Sequence, residues 1–353
     1  MIKRNILFFL YSFVIIYCLF YGARAWPTWF LTSPYLYLSF FIIVVIFFST
    51  NKIRIRLTFI EIIAFLLYFV TFMSISDMSF NGLLGNFLIA SIVSSVFLLS
   101  KKYAEGLLRN IQSVMFYILI PSLVLHFIFL FYNYPSPFII QNEWSERYVF
   151  FNYFFLIKNE ILYQNRFCGI FLEPGYLAAL CSFLLFVDKY DLKKKENKIL
   201  VLAVMVSLSL AGYIFLAVGY MLLRANKIVD LLKKIFGLLF YVLLFYTIFT
   251  NYDDGDNIVN KSIIERLQLD KEKGIKGNNR VTGVVDDYYD FFLKSDELWS
   301  GYGKKEMQRI RQYESDWIAA GYKPFLMQNG IFILMMILLF YLIILMQKIA
   351  YIQ

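Results

Sequence analysis

The chain has 353 residues and a formal net charge of +9, with 60% hydrophobic and only 17% charged residues, and its mean hydropathy is +0.63. A soluble domain is nearer half apolar and a quarter charged, so a water-soluble globular fold is excluded for the bulk of the chain. The basic surplus does not point to nucleic acid, because Lys and Arg fall between apolar spans rather than on one soluble face.

A membrane helix needs about twenty mostly apolar residues, since the hydrocarbon core is roughly 30 Å thick and a helix rises about 1.5 Å per residue. In chain order, candidate spans run over Asn5–Tyr21, Pro34–Ser49, Leu57–Ile75, Leu83–Leu99 and Ile111–Phe131. Further spans follow at Phe167–Val187, Ile235–Phe249 and Phe325–Met346. The apolar stretch Ile199–Leu223 is too long for one untilted span; it reads as two helices meeting near Ser209–Gly212.

Charge placement tests that count. With Lys3 and Arg4 in the cytoplasm, the inner loops carry Lys52, Arg54 and Arg56, then Lys101, Lys102 and Arg109, then Lys189, Lys193, Lys194, Lys195 and Lys198, then Arg224, Lys227, Lys233 and Lys234. Short outer loops carry little more than Arg24. The bias toward Lys and Arg inside holds only if 199–223 crosses twice or not at all; a rival count of nine would put the C-terminus outside. The expected fold is therefore all-α, a polytopic membrane helix bundle of about ten transmembrane helices (range roughly nine to twelve) with both termini cytoplasmic. The whole chain, 1–353, reads as one integral membrane domain in a bacterial cytoplasmic membrane.

Two outer loops exceed simple connectors. The first, 132–166, holds Pro135, Pro137 and the aromatic run Tyr148–Phe155, expected to be an amphipathic segment lying in the membrane interface. The second, 250–323, precedes the last helix and mixes both signs of charge with Gly255, Gly274, Gly277, Gly283, Gly301 and Gly303. A loop this long in a helical protein is more often functional than a mere connector.

Several chemistries lack their parts. The three cysteines, Cys18, Cys168 and Cys181, fall in expected spans and suggest neither a disulfide framework nor a metal site. His126 is the sole histidine, so a Ser-His-Asp triad or a two-histidine metal centre is unsupported. It reads as a satisfied polar residue of the bundle. No metal, cofactor or nucleotide is expected, and no Gly-rich phosphate loop is present.

The most informative stretch is Arg166-Phe-Cys-Gly169-Ile-Phe171-Leu-Glu173-Pro174-Gly175-Tyr-Leu-Ala178. Read as the opening of a membrane helix, it sets Arg166 and Glu173 two turns apart on nearly one face, about 10 Å apart. Glu173 at that depth needs a partner or a water-filled cavity. Pro174 removes a backbone hydrogen bond and would loosen the helix beside it. The competing reading is an interfacial arginine and a glutamate paired for folding.

The pattern Arg-x-x-Gly-x-Phe-x-Glu-Pro-x-x-x-Ala, opening a helix after an external loop, resembles the Wzy-type polysaccharide polymerases of the O-antigen polymerase and ligase superfamily. Weaker features follow in the same order. Ser207-Leu-Ser209-Leu-Ala-Gly212-Tyr213 resembles the family's turn between two short helices. Asn279-Arg280 resembles the stretch carrying the arginine of its large loop. Trp299-Ser-Gly301-Tyr-Gly303 and Gln328-Asn329-Gly330-Ile331 resemble the turn after it and the start of the next helix. The resemblance covers about Arg166 to the C-terminus. The superfamily's ligases carry a histidine near the end of that loop, where this chain has Tyr313-Glu-Ser315-Asp316-Trp317. That favours the polymerase branch.

The resemblance implies a GT-C-like bundle that joins oligosaccharide repeat units carried on undecaprenyl pyrophosphate into a surface polysaccharide, an O-antigen or a capsule. Its other implied partners are the lipid bilayer and a chain-length regulator. The leaving group is a diphosphate, and arginine's planar fork suits phosphate oxygens. Arg166, Arg280 and Glu173 are the expected catalytic residues; Arg266, Tyr213 and Asp316 are expected to bind substrate. Glu173 and Asp316 are candidates for taking the acceptor's proton. The alternatives are a flippase of lipid-linked sugars and a ligase-like glycosyltransferase.

Overall fold

A computed structural model describes residues 2–31, 33–51, 59–74, 80–132, 135–136, 138–142, 145–159, 166–224, 228–257, 259–264, 269–270, 274–275, 283–313 and 322–350. Twelve α-helices occur among them. Three are long and apolar enough to cross a membrane: those at Pro34–Asn51, Lys101–Ile128 and Tyr322–Phe340. Shorter apolar helices accompany them. Large side chains such as Phe13, Val45, Val124, Phe183, Phe215 and Leu338 stand exposed on these helices. That exposure suits lipid and would be costly in water. The chain is a membrane protein built mainly of helices.

The chain divides into two compact units, residues 1–11, 33–100 and 269–353 in the first and 12–32 and 101–268 in the second. In the first, α2 (Pro34–Asn51), α3 (Phe59–Ser74) and α4 (Phe80–Ser94) pack with α12 (Tyr322–Ala350). The start of α1 (Ile2–Gly22) belongs here, with Tyr11 stacked on Phe47 at 4.5 Å and hydrogen-bonded to Ser95 at 3.0 Å. A small folded module precedes α12. Its helices α10 (Gly283–Phe292) and α11 (Gly303–Tyr313) bury Val285, Phe292 and Met307 against Leu326 and Met327 of α12.

That module is locked onto a break in α12. Gly330 has φ 75 and ψ 170, which ends the helix begun at Tyr322 before it resumes at Ile331. The turn Trp299–Gly303 lies against the break. Tyr302 N–H donates to Met327 O at 2.7 Å and Phe332 N–H to Trp299 O at 3.2 Å. A Cβ at Gly330 would come within 2.2 Å of Trp299 O, and one at Gly301 within 2.5 Å of Gln328 O. Only glycines permit two backbones to approach this closely.

In the second unit, α5 (Lys101–Ile128) packs with α7 (Lys195–Val206), and α6 (Pro174–Val187) packs with α7 and α8 (Leu210–Arg224). α9 (Ile228–Asn251) packs on α8. The stretch 199–223 does divide into two helices, but the division falls at Ser207–Ser209. Leu208 sits at φ 48, outside helical backbone. Ser209 Oγ then accepts from Gly212 N–H at 3.3 Å, the usual capping of a helix N-terminus. α8 returns along α6, where a Cβ on Gly212 would lie 2.5 Å from Ala178 Cβ. Small residues thus set the helix spacing.

One end of this unit is tied by Asp188. Lys194 Nζ and Asn197 Nδ2 each reach its carboxylate at 2.6 Å, and Gln112 of α5 donates to Asn197 Oδ1 at 3.4 Å. Burial pushes the Asp188 carboxyl up. The hydrogen bonds from Lys194, Asn197 and Gln112 and the Lys194 charge outweigh it, so the group is held below the usual carboxylate range.

The opposite end adds a small sheet to an otherwise helical structure. The run expected to lie as an amphipathic segment at Tyr148–Phe155 forms most of a strand and the turn after it. Strands β1 (Phe138–Asn142), β2 (Ser145–Asn152) and β3 (Ile157–Lys158) make an antiparallel sheet in the order β1-β2-β3. The reason is period-two alternation. Ile140, Phe150 and Ile157 are buried with Trp29, Cys168 and Leu172, whereas the neighbouring Ile139 and Val149 are exposed. In the first unit a short hairpin pairs β4 (Leu269–Asp270) with β5 (Gly274–Ile275).

Candidate functional site

The sheet end of the second unit carries the Arg166–Glu173 segment, and its backbone differs from the expected helix. Residues 166–173 are irregular, and α6 begins only at Pro174. The helical spacing that set Arg166 and Glu173 on one face therefore does not apply. Pro174 occupies the first turn, where its missing N–H loses no bond and its fixed φ favours the helix. The expectation that it loosens a helix is corrected accordingly. Glu173 is the extended residue before it, at φ −137 and ψ 149, and its side chain makes no capping hydrogen bond.

The segment is wedged between neighbours. Phe171 pairs with Ala25 in an isolated antiparallel bridge, Trp26 N–H donates to Ile170 O at 2.9 Å and Leu172 N–H to Arg24 O at 3.1 Å. Ile157 N–H donates to Gly169 O at 2.8 Å, joining the segment to the sheet. Phe167 and Phe171 are fully buried. Backbone groups that a helix would pair internally are thus paired to the 24–26 turn and to β3, as a membrane protein requires of irregular chain.

Arg166 is held at the C-terminal end of α7. Its Nε donates to Ser207 O at 3.4 Å. Phe167 N–H reaches Val206 O at 3.4 Å and Tyr213 Oη donates to Met205 O at 2.6 Å. The carbonyls of Met205, Val206 and Ser207 at this helix end thus each receive a donor from outside α7, and a cation sits where the helix dipole is negative. Arg166 and Tyr213, both expected in the site, do meet around this helix end. Glu173 is on the same segment at the mouth of α6. Arg280, Arg266 and Asp316, with Asn279, lie outside the described residues.

Two cations that sequence reasoning did not single out join this end. Arg24 has φ 54, and its guanidinium lies 5.7 Å from the centre of the Tyr176 ring. Lys158 Nζ lies 4.9 Å from the centre of the Phe129 ring, and both Lys158 and Arg166 act electrostatically on Cys168. Arg24 carried a signal, being a basic residue in a short loop where the charge bias expects none. Lys158 carried none, because it lies within the first outer loop past the Tyr148–Phe155 run. His126 is buried, with its ring edge-on to Phe167 at 5.2 Å. Cys18, Cys168 and Cys181 are free thiols.

Chemically, this end offers cations from three chain segments and the positive dipole end of α6. Such a set suits an anion with spread charge. Glu173 supplies a carboxylate beside it. No protein-family model, curated protein or solved structure matches the chain.

Proposed function

We propose that the chain is a Wzy-type glycosyltransferase that polymerises undecaprenyl-pyrophosphate-linked repeat units on the outer face of a bacterial cytoplasmic membrane. The observation that carries this reading is the non-helical Arg166–Glu173 segment, set among Arg24, Lys158 and the α6 N-terminus at one end of a membrane helix bundle. Charge and irregular backbone are costly in a membrane unless buried in protein or lining a water-filled cavity.

In the proposed reaction an acceptor sugar hydroxyl attacks the anomeric carbon of the growing chain. The new glycosidic C–O bond forms as the anomeric C–O bond to the diphosphate breaks. The bonding pair leaves with the lipid diphosphate, and the acceptor's proton passes to a carboxylate. Cations around the diphosphate stabilise charge that develops only as it departs, where most catalytic benefit lies. Arg166 and Arg280 would take this role, Arg266, Tyr213 and Asp316 would hold substrate, and Glu173 or Asp316 would take the proton. The Lys and Arg distribution supports cytoplasmic termini with this end outside.

Deletion of the gene followed by electrophoresis of surface polysaccharide tests the activity. Loss of a polymerase leaves single repeat units attached at the surface. Trapped internal precursors would instead indicate a flippase, and long chains remaining on the lipid carrier a ligase.

A further inference from the structure

The module before α12 has two chemically different sides. α10 and the turn after it carry Asp287, Asp290, Asp296 and Glu297 against Lys294, while Asp286 is paired to Lys323 of α12 at 2.6 Å. α11 carries Lys304, Lys305, Arg309 and Arg311 against Glu306. Met307, and in part Ile310, face the module core, so the exposed surface of α11 is left to its charged residues.

The height of this surface is set by backbone bonds. Trp299 O accepts from Phe332 N–H, so the Trp299–Gly303 turn is level with Gly330. There α12 resumes at Ile331; its uncharged run, which starts at Pro324 after Lys323, continues to Gln347, so the turn stands beside the apolar part of the helix. Lys304 and Lys305 follow this turn directly. Trp299 is 60% exposed at that level, and Tyr313 at the far end of α11 is 76% exposed. A Trp at a helix mouth beside lysines is the composition of a membrane–water boundary.

We propose that the Trp299–Lys305 turn and α11 form a docking surface for anionic lipid headgroups of the leaflet that α12 enters. The basic side meets the phosphates, and the acidic side of α10 is turned to water by the same field. Phe291, exposed on α10, lies among Asp287, Asp290 and Lys294, a setting that an anionic layer would repel. Binding by such a surface rests on several cations together and weakens with salt.

The test uses the full chain in lipid nanodiscs with a nitroxide at Gln308→Cys on exposed α11, and separately at Asp287→Cys on α10. The native cysteines are buried, so each label reports alone. In phosphatidylglycerol discs the 308 label should be shielded from a water-soluble nickel chelate and the 287 label should not. In phosphatidylcholine discs, or in salt near ~0.5 M where the Debye length is about 4 Å, the 308 label should become accessible. Each cation neutralised in Lys304→Gln, Lys305→Gln or Arg311→Gln should lower headgroup occupancy about fivefold. Equal accessibility at 308 in both lipids, or equal shielding at 287 and 308, overturns the proposal. These residues are exposed, so a variant that elutes normally but keeps its shielding overturns it too.

Discussion

Replacing Gly330 with alanine should release the module from α12. The native backbone there, at φ 75 and ψ 170, belongs to a region that only glycine adopts freely, and a side chain costs about 1–3 kcal/mol in it. The added Cβ would also stand 2.2 Å from Trp299 O, 2.5 Å from Trp299 C and 2.7 Å from Gly301 N. All three are backbone atoms, so no rotamer change relieves the clash. The cheaper escape is for residue 330 to turn helical, joining the two parts of α12 and expelling the Trp299–Gly303 turn. Escape loses two inter-segment hydrogen bonds, at about 1 kcal/mol each, and some burial around Met307 and Met327. The docked state should therefore lose about 2–3 kcal/mol, or roughly 30- to 150-fold in population. Hydrogen exchange of the full chain reads this at the Tyr302 amide, which loses its Met327 partner. The Phe332 amide should stay protected, since a continuous helix gives it a new acceptor. Gly303→Ala is the control. Its φ is 77 but no atom lies within 4 Å of an added Cβ, so only the smaller backbone cost applies. Unchanged Tyr302 exchange in the Gly330 variant, or equal exchange in both, would refute the reasoning.

Arg166→Ala should abolish chain elongation while the protein still inserts, and Arg166→Lys should rescue poorly because it lacks the Nε donor to Ser207 O; normal polysaccharide length in either variant on a gel would contradict the assignment. Pro174→Ala should change thermal stability by less than about 1 kcal/mol, because the proline sits in a first turn and breaks no bond; a large loss on melting would restore the idea of a stressed helix. Asp188 should make stability acid-sensitive. Its folded value is depressed, so its contribution is complete above its unfolded value near ~3.9 and is lost as pH falls through the lower folded value. Asp188→Asn should melt lower at neutral pH and show a flatter decline below about pH 4, measured by the midpoint as a function of pH.

Hydropathy found most helices because the lipid-facing pattern is a sum over about twenty residues, which no single side chain upsets. It failed where a few residues decide. The sheet is not visible to hydropathy: the aromatic run Tyr148–Phe155 suits an interfacial segment equally well, and only the burial of Ile140, Phe150 and Ile157 on one face distinguishes strands. The start of α6 was placed too early because Phe167–Leu172 is apolar for a different reason. It is buried irregular chain, paired to the 24–26 turn and to β3. The turn at Ser207–Ser209 was legible within a few residues, since serines compete for helix backbone bonds. Trp299–Gly303 and Gln328–Gly330 were noticed as separate motifs. That they lock together could not be read from sequence, because the bond between them spans a long loop and depends on two glycine backbones meeting.

The late start of α6 has a consequence for depth. Gly169 lies against Leu119 and Ser122 of α5, yet α5 continues to Ile128. From Leu119 to Ile128 is roughly 13 Å of helix. The segment bearing Arg166 is thus sunk below the rim of its own bundle.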